Sequence, residues 1–256
     1  MKTVILAGGF GTRLQEETNL IPKPLVEIGG KPIIWHIIQR YIRYGFKDFV
    51  IALGYKSNLI KKYFLDYHLM NSDFEVNLSS GIVDFYSKNN SDIKVSLIDT
   101  GTNTMTGGRL KRLKNYLSNE PFFLTYGDGI ANINLNELLS FHNSKKSLIT
   151  MTVVRPPARF GVLETDKNDL INSFEEKPQL KSGWINGGFF VCEPEFIEYC
   201  QSDDEMLEKQ PLQKAVSLKK LYAYHHHGFW RCMDNIRDKK DIEKMIKEGN
   251  CPWLEP

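Results

Sequence analysis

Close to the start of this 256-residue chain, Leu6, Ala7, Gly8, Gly9, Phe10, Gly11, Thr12 and Arg13 follow a short apolar run, and Lys23 stands shortly after them between Pro22 and Pro24. Glycine lets backbone approach a ligand closely, and successive N–H groups can cradle an anion. Arg13 adds a planar, permanent cation suited to phosphate. The flanking prolines restrict the backbone around Lys23, which makes it a second candidate cation. The chemistry this string offers is neutralisation of a phosphate chain. Two common phosphate loops are excluded: Leu14 stands where a dinucleotide loop needs its third glycine, and no Lys-Ser or Lys-Thr pair follows Gly11 as a Walker loop requires. A plain glycine-rich turn and an ordinary loop lysine are the alternatives for the two segments taken singly.

Asp128 comes directly after the apolar run Pro121–Tyr126 and Gly127. A carboxylate beyond the carboxyl end of a buried strand lies where open α/β sheets bind ligands, and it is a natural oxygen donor to a hard cation. Taken alone, such an aspartate is more often a turn residue. No Ser-His-Asp arrangement stands out. His225 and His227 would share a face if they lie on a strand, but no third metal ligand is evident near them.

The elements that would position these residues are legible. Thr3–Ala7, Phe49–Leu53, Val95–Ile98, Phe122–Tyr126 and Leu148–Val154 read as strands buried on both faces, because they lack polar alternation. Ile33–Tyr44, Asn58–Tyr67 and Leu135–His142 carry helical spacing, with Gly45 as a stop. Alternating strands and helices predict an α/β fold, a mostly parallel sheet with helices on both faces. Between about 66 and 92 the pattern becomes a hairpin, Phe74–Leu78 and Ile82–Tyr86 around Ser79-Ser-Gly81, read either as a surface ribbon or as an oligomer contact. Strands recur at Gly161–Thr165, Ile171–Phe174, Trp184–Val191 and Leu221–Tyr224. With no intervening linker, the chain reads as one domain in two parts, about 1–150 and about 151–256.

Composition narrows the classes. A balance of 33 basic against 31 acidic residues gives no support for a nucleic-acid binder. The four cysteines fall at Cys192, Cys200, Cys232 and Cys251, in no disulfide or zinc spacing. The first apolar run is too short for a signal segment or a membrane span, so a reducing, cytoplasmic setting without membrane partners is expected.

The combined string L-A-G-G-x-G-T-R-L, then P-K-P-L, then Ile28-Gly-Gly-Lys-Pro-Ile33, resembles the sugar-1-phosphate nucleotidyltransferase family. Thr100–Arg112, Thr125–Ile130 and Glu27–His36 resemble its glucose-1-phosphate cytidylyltransferase branch. That resemblance implies a Rossmann-like nucleotidyltransferase fold with a mostly parallel mixed sheet. It implies Mg²⁺ held by Asp128 and Asp234, and CTP and glucose 1-phosphate as substrates. Catalysis would fall to Arg13, Lys23 and Asp128. The nucleotide would lie on residues 6–13, Lys23, Thr104, Arg109 and Asp128. Arg109 could donate to O2 and N3 of cytosine or hold a phosphate. The sugar phosphate would meet Gly161, Glu176, Lys177, Asn186 and Gly187. The family commonly forms symmetric oligomers, so a homo-oligomer is expected. Another base or sugar, or a non-catalytic nucleotide sensor of the same fold, are the rival readings.

Overall fold

The computed structural model describes residues 1–86, 92–117, 120–156, 162–165, 167, 170–175 and 183–255, with only the backbone of 162–165, 174 and 175. Seven strands build the central sheet: β1 (Lys2–Leu6), β2 (Asp48–Leu53), β3 (Lys94–Asp99), β4 (Phe122–Tyr126), β5 (Ile149–Val154), β6 (Ile185–Cys192) and β7 (Leu221–His225). The main helices are α1 (Ile33–Arg43), α2 (Ser57–Met70), α3 (Thr106–Arg112), α4 (Leu135–Lys145), α5 (Gln210–Ser217) and α6 (Ile236–Lys247). Spatial order is β7-β5-β6-β4-β1-β2-β3. Every neighbouring pair is parallel except those made by β6, which runs antiparallel to both β4 and β5.

The strands read as unbroken apolar runs because both sheet faces are covered. Ile5, Phe49, Ile51, Phe123, Phe189 and Val191 pack on one side with α1, α4 and α6. Their sequence neighbours Val4, Val50, Phe122, Leu124 and Phe190 pack on the other side with α3 and α5. Strand alternation alone therefore deals successive apolar residues to two cores. The expected strands and the three expected helices all form, within a residue or two at most ends. Gly45 ends α1 with φ 84°, the left-handed conformation that glycine adopts without strain. Helix α6 starts at a reciprocal cap between Asn235 and Asp238. The hairpin is present as Phe74–Val76 paired antiparallel with Val83–Phe85, and Leu78, Ile82 and Tyr86 on it are exposed.

The chain leaves β1 toward β2 and β3, then returns to place β4 on the other flank of β1. That reversal opens a crevice at the carboxyl ends of β1 and β4, where ligands bind in sheets of this kind. No helix among the described residues is long and apolar enough to cross a membrane.

A buried histidine ties the C-terminal segment to α1. His36 Nε2 lies 3.0 Å from the Ile28 carbonyl, so it carries the proton, and Nδ1 accepts from Trp253 Nε1–H at 3.1 Å. Burial lowers the His36 pKa below its ordinary 6.5. The unfolded chain therefore takes up this proton first, and the contribution to stability is complete above about pH 6.5 and lost as pH falls below it. Melting temperature should decline on acidification from about pH 7.5 to 5.5. His36→Gln should make that decline shallower without abolishing it, because His142 and His226 are also held below the ordinary value by burial. An unchanged slope in differential scanning calorimetry would remove His36 from this role.

Candidate active site

The first glycine segment leaves the end of β1 and is pinned by backbone hydrogen bonds to the neighbouring strand. Ala7 N–H donates to the Ala52 carbonyl at 3.0 Å, and Tyr55 N–H to that of Gly8 at 3.1 Å. Gly11 takes φ 65°, which turns the chain into the short helical segment that carries Arg13. Gly8 is small for another reason. A Cβ there would sit 2.2 Å from a terminal nitrogen of Arg109.

Arg109 is buried on α3. Its NH1 group donates to the carbonyls of Leu53 (2.9 Å) and Gly101 (2.7 Å) and to Thr100 Oγ1 (2.8 Å). Its NH2 group donates to the carbonyls of Gly8 (2.8 Å) and Thr102 (3.3 Å). The guanidinium thus ties the glycine segment to the end of β2 and to the loop that carries Thr104, and it also lines the cleft. Burial is the main influence on it, lowering its pKa from the ordinary arginine value.

Charged side chains from distant parts of the chain meet in the lining of this cleft of about 730 Å³. Lys23 Nζ lies 2.7 Å from Asp128 Oδ2 and 2.8 Å from Asp234 Oδ1, and Arg13 NH1 lies 2.6 Å from Asp234 Oδ2. Burial opposes the charge on Lys23, but the adjacent Asp128 carboxylate and the hydrogen bonds to both aspartates hold its pKa above normal. Burial alone would raise the Asp234 carboxyl, yet Lys23 and then Arg13 outweigh it and hold it below the ordinary value. Asp128 follows β4, while Asp234 follows the strand Trp230–Cys232, which pairs with Gly129–Ala131 just after Asp128. That pairing brings together two carboxylates far apart in sequence.

Asp128, Cys232 and Asp234 offer ligand atoms within 4.8 Å of one another. Burial and the Asp128 and Asp234 carboxylates push the Cys232 thiol far above the ordinary cysteine range, so it stays protonated. The donor set is then two carboxylates that already accommodate a cation, the Lys23 ammonium, between them. Oxygen donors of this kind suit a hard divalent ion rather than a thiophilic one.

The same cleft holds Thr104, Asn186 and Gly187. Asn186 Oδ1 accepts from the Gly188 N–H at 2.8 Å, and Trp230 Nε1–H donates to the Gly187 carbonyl at 2.7 Å. Every expected nucleotide and metal residue therefore borders one cleft. Gly161, Glu176 and Lys177 lie outside the described residues. His225 and His227 pack edge-on against Trp184, at 4.6 and 5.2 Å between ring centres, and no third ligand joins them among the described residues. Tyr126, Thr106, Glu208 and Cys232 also line the cleft, and none was singled out as a site residue from the sequence, since each is an ordinary residue until the fold assembles its neighbours.

The Nucleotidyl transferase family model matches residues 2–236, and the chain belongs to that family. It is an enzyme of nucleotidyl transfer. Its sequence is 44% identical over 254 residues to the glucose-1-phosphate cytidylyltransferase of Salmonella typhi, covering 99% of this chain and 98% of that protein. It is 42% identical to the probable glucose-1-phosphate cytidylyltransferase of Bacillus subtilis strain 168, covering 99% of each. Among solved structures, HddC from Yersinia pseudotuberculosis superposes with a TM-score of 0.67 at 23% identity, over 96% of this chain and 99% of that one, which shows a shared fold.

Proposed function

We propose that this enzyme transfers the cytidylyl group of CTP to α-D-glucose 1-phosphate, giving CDP-glucose and pyrophosphate. The observation that carries the mechanism is the convergence of Arg13, Lys23, Asp128 and Asp234 at the end of the glycine segment. The choice of CTP and glucose 1-phosphate is supported by the names of the two cytidylyltransferases, each similar over nearly its full length.

An oxygen of the sugar phosphate attacks the α-phosphorus in line. A new P–O bond forms, the α–β phosphoanhydride bond breaks, and pyrophosphate leaves with the electron pair. The nucleophile is already an anion at neutral pH, so the protein needs no general base. Its work is alignment and neutralisation of charge. The glycine segment presents backbone N–H groups to the triphosphate, Arg13 and Lys23 offset its charge, and Thr104 and Arg109 border the nucleotide end. Asp128 and Asp234 would hold Mg²⁺, which supplies further neutralisation of the triphosphate when bound. Asn186 and Gly187, with Gly161, Glu176 and Lys177, receive the sugar phosphate. The enzyme works in the cytoplasm as a homo-oligomer, a reading supported by the free cysteines and the exposed apolar ribbon.

Pyrophosphate release with Mg²⁺ and glucose 1-phosphate, run beside CTP, UTP, dTTP, ATP and GTP, tests this. Release with CTP alone, dependent on the sugar phosphate, is expected. Release with a different triphosphate overturns the base assignment, and release that ignores the sugar phosphate overturns the transfer.

A further inference from the structure

One carboxylate in the cleft takes no part in the charge cluster. Glu208, just before α5, pairs with no lysine or arginine among the described residues. It accepts instead from two hydroxyls on two walls. Thr106 Oγ1, at the start of α3 on the nucleotide side, donates to Oε2 at 2.8 Å. The Tyr126 hydroxyl, at the end of β4, donates to Oε1.

The proton directions in this network are set by chemistry. Thr106 Oγ1 accepts the Leu207 N–H at 2.8 Å, and its own proton goes to Glu208. The Tyr126 oxygen accepts from Asn186 Nδ2 at 3.3 Å, so its proton also goes to Glu208. The Gly188 N–H can only donate, which fixes the Asn186 carbonyl oxygen toward it. The amide therefore keeps one N–H uncommitted to this chain of bonds, on a side chain that lines the cleft.

We infer that Glu208 is a positioning residue for the acceptor: through Tyr126 it anchors the nitrogen end of the Asn186 amide, whose oxygen Gly188 holds, so that the remaining N–H faces the sugar phosphate, and through Thr106 it ties that wall to α3. This rests on the reading of the cleft as a nucleotidyl-transfer site. Only a carboxylate accepts at both oxygens. Gln in its place offers one acceptor and one donor, so one of the two hydroxyls must reverse or lose its partner.

The test is a double-mutant cycle of Glu208→Gln and Tyr126→Phe, with separate KM values for glucose 1-phosphate and CTP and a melting temperature for each variant. Each single change should raise the glucose 1-phosphate KM about tenfold, the scale of one hydrogen bond to a charged group, and move the CTP KM by no more than about twofold. The double variant should be no worse than either single one, because both break the same connection. An unchanged acceptor KM in Glu208→Gln, or effects that multiply in the double variant, overturns the inference. Should Glu208→Gln fail to fold, Tyr126→Phe carries the same expectation and an unchanged acceptor KM there overturns it. Wild-type enzyme silent with this substrate pair would overturn the functional reading instead, and the cycle on the pair it does use would then decide the role of Glu208.

Discussion

Asp234→Asn should cut turnover by about 10²- to 10³-fold while leaving the fold standing, the scale seen when a single pre-aligned electrostatic contact is removed from an active centre. Asn has nearly the shape of Asp but no charge. The substitution removes the carboxylate that meets both Arg13 (2.6 Å) and Lys23 (2.8 Å), and with it half of the oxygen pair proposed to hold Mg²⁺. Lys23 keeps Asp128 at 2.7 Å, so no buried cation is stranded and the melting temperature should move by only a few degrees. Arg13 is largely exposed, and its pairing adds little to stability. The Mg²⁺ concentration for half-maximal pyrophosphate release should rise in the variant. Near-wild-type turnover would place the metal elsewhere.

Gly8→Ala should lower stability by about 3–5 kcal/mol, the cost of displacing one partner of a buried charged network, and this corresponds to a melting temperature about 10 °C lower for a chain of this size. The new Cβ would lie 2.2 Å from Arg109 NH1 and 2.3 Å from its Cζ, so the guanidinium must move. Its movement takes the charged donor from the Gly101 carbonyl and breaks its bonds to the carbonyls of Gly8 and Leu53, which keep only the N–H groups of Tyr55 and Thr100 and the Thr100 hydroxyl. Arg109→Ala should cost about as much for the same reason. In an Arg109→Ala background the three atoms nearest the added methyl are gone, and Gly8→Ala should then cost less than about 1 kcal/mol more. If Gly8 is glycine only to admit phosphate, the outcome is different: Gly8→Ala would impair CTP turnover at an unchanged melting temperature, with no coupling to Arg109.

The strands were legible because a strand buried on both faces has a local signature, an unbroken apolar run such as Phe122–Tyr126. Helices α5 and α6 were less so. Helix α6 is largely charged with one fully buried residue, Ile242, and its start is marked by a cap whose two halves, Asn235 and Asp238, are common surface residues. The glycine segment, Lys23 and Asp128 could be picked out singly, since glycine, a stiffened lysine and an aspartate after a strand each point to ligand chemistry through their own covalent structure.

The parallel-sheet pattern, the phosphate-type loop and the set of charged residues available for transfer are written in local stretches of the chain. Which of them meet depends on how the strands pair. The pairing of Trp230–Cys232 with Gly129–Ala131 sets Asp234 beside Asp128, and the switch in strand order between β1 and β4 sets both beside Lys23. The fold also gave Gly8 a neighbour, Arg109, and made Glu208 an acceptor for two hydroxyls from separate walls. Such contacts join residues about 80 to 210 positions apart, and no local propensity encodes them, because their energy exists only once the sheet has closed the distance.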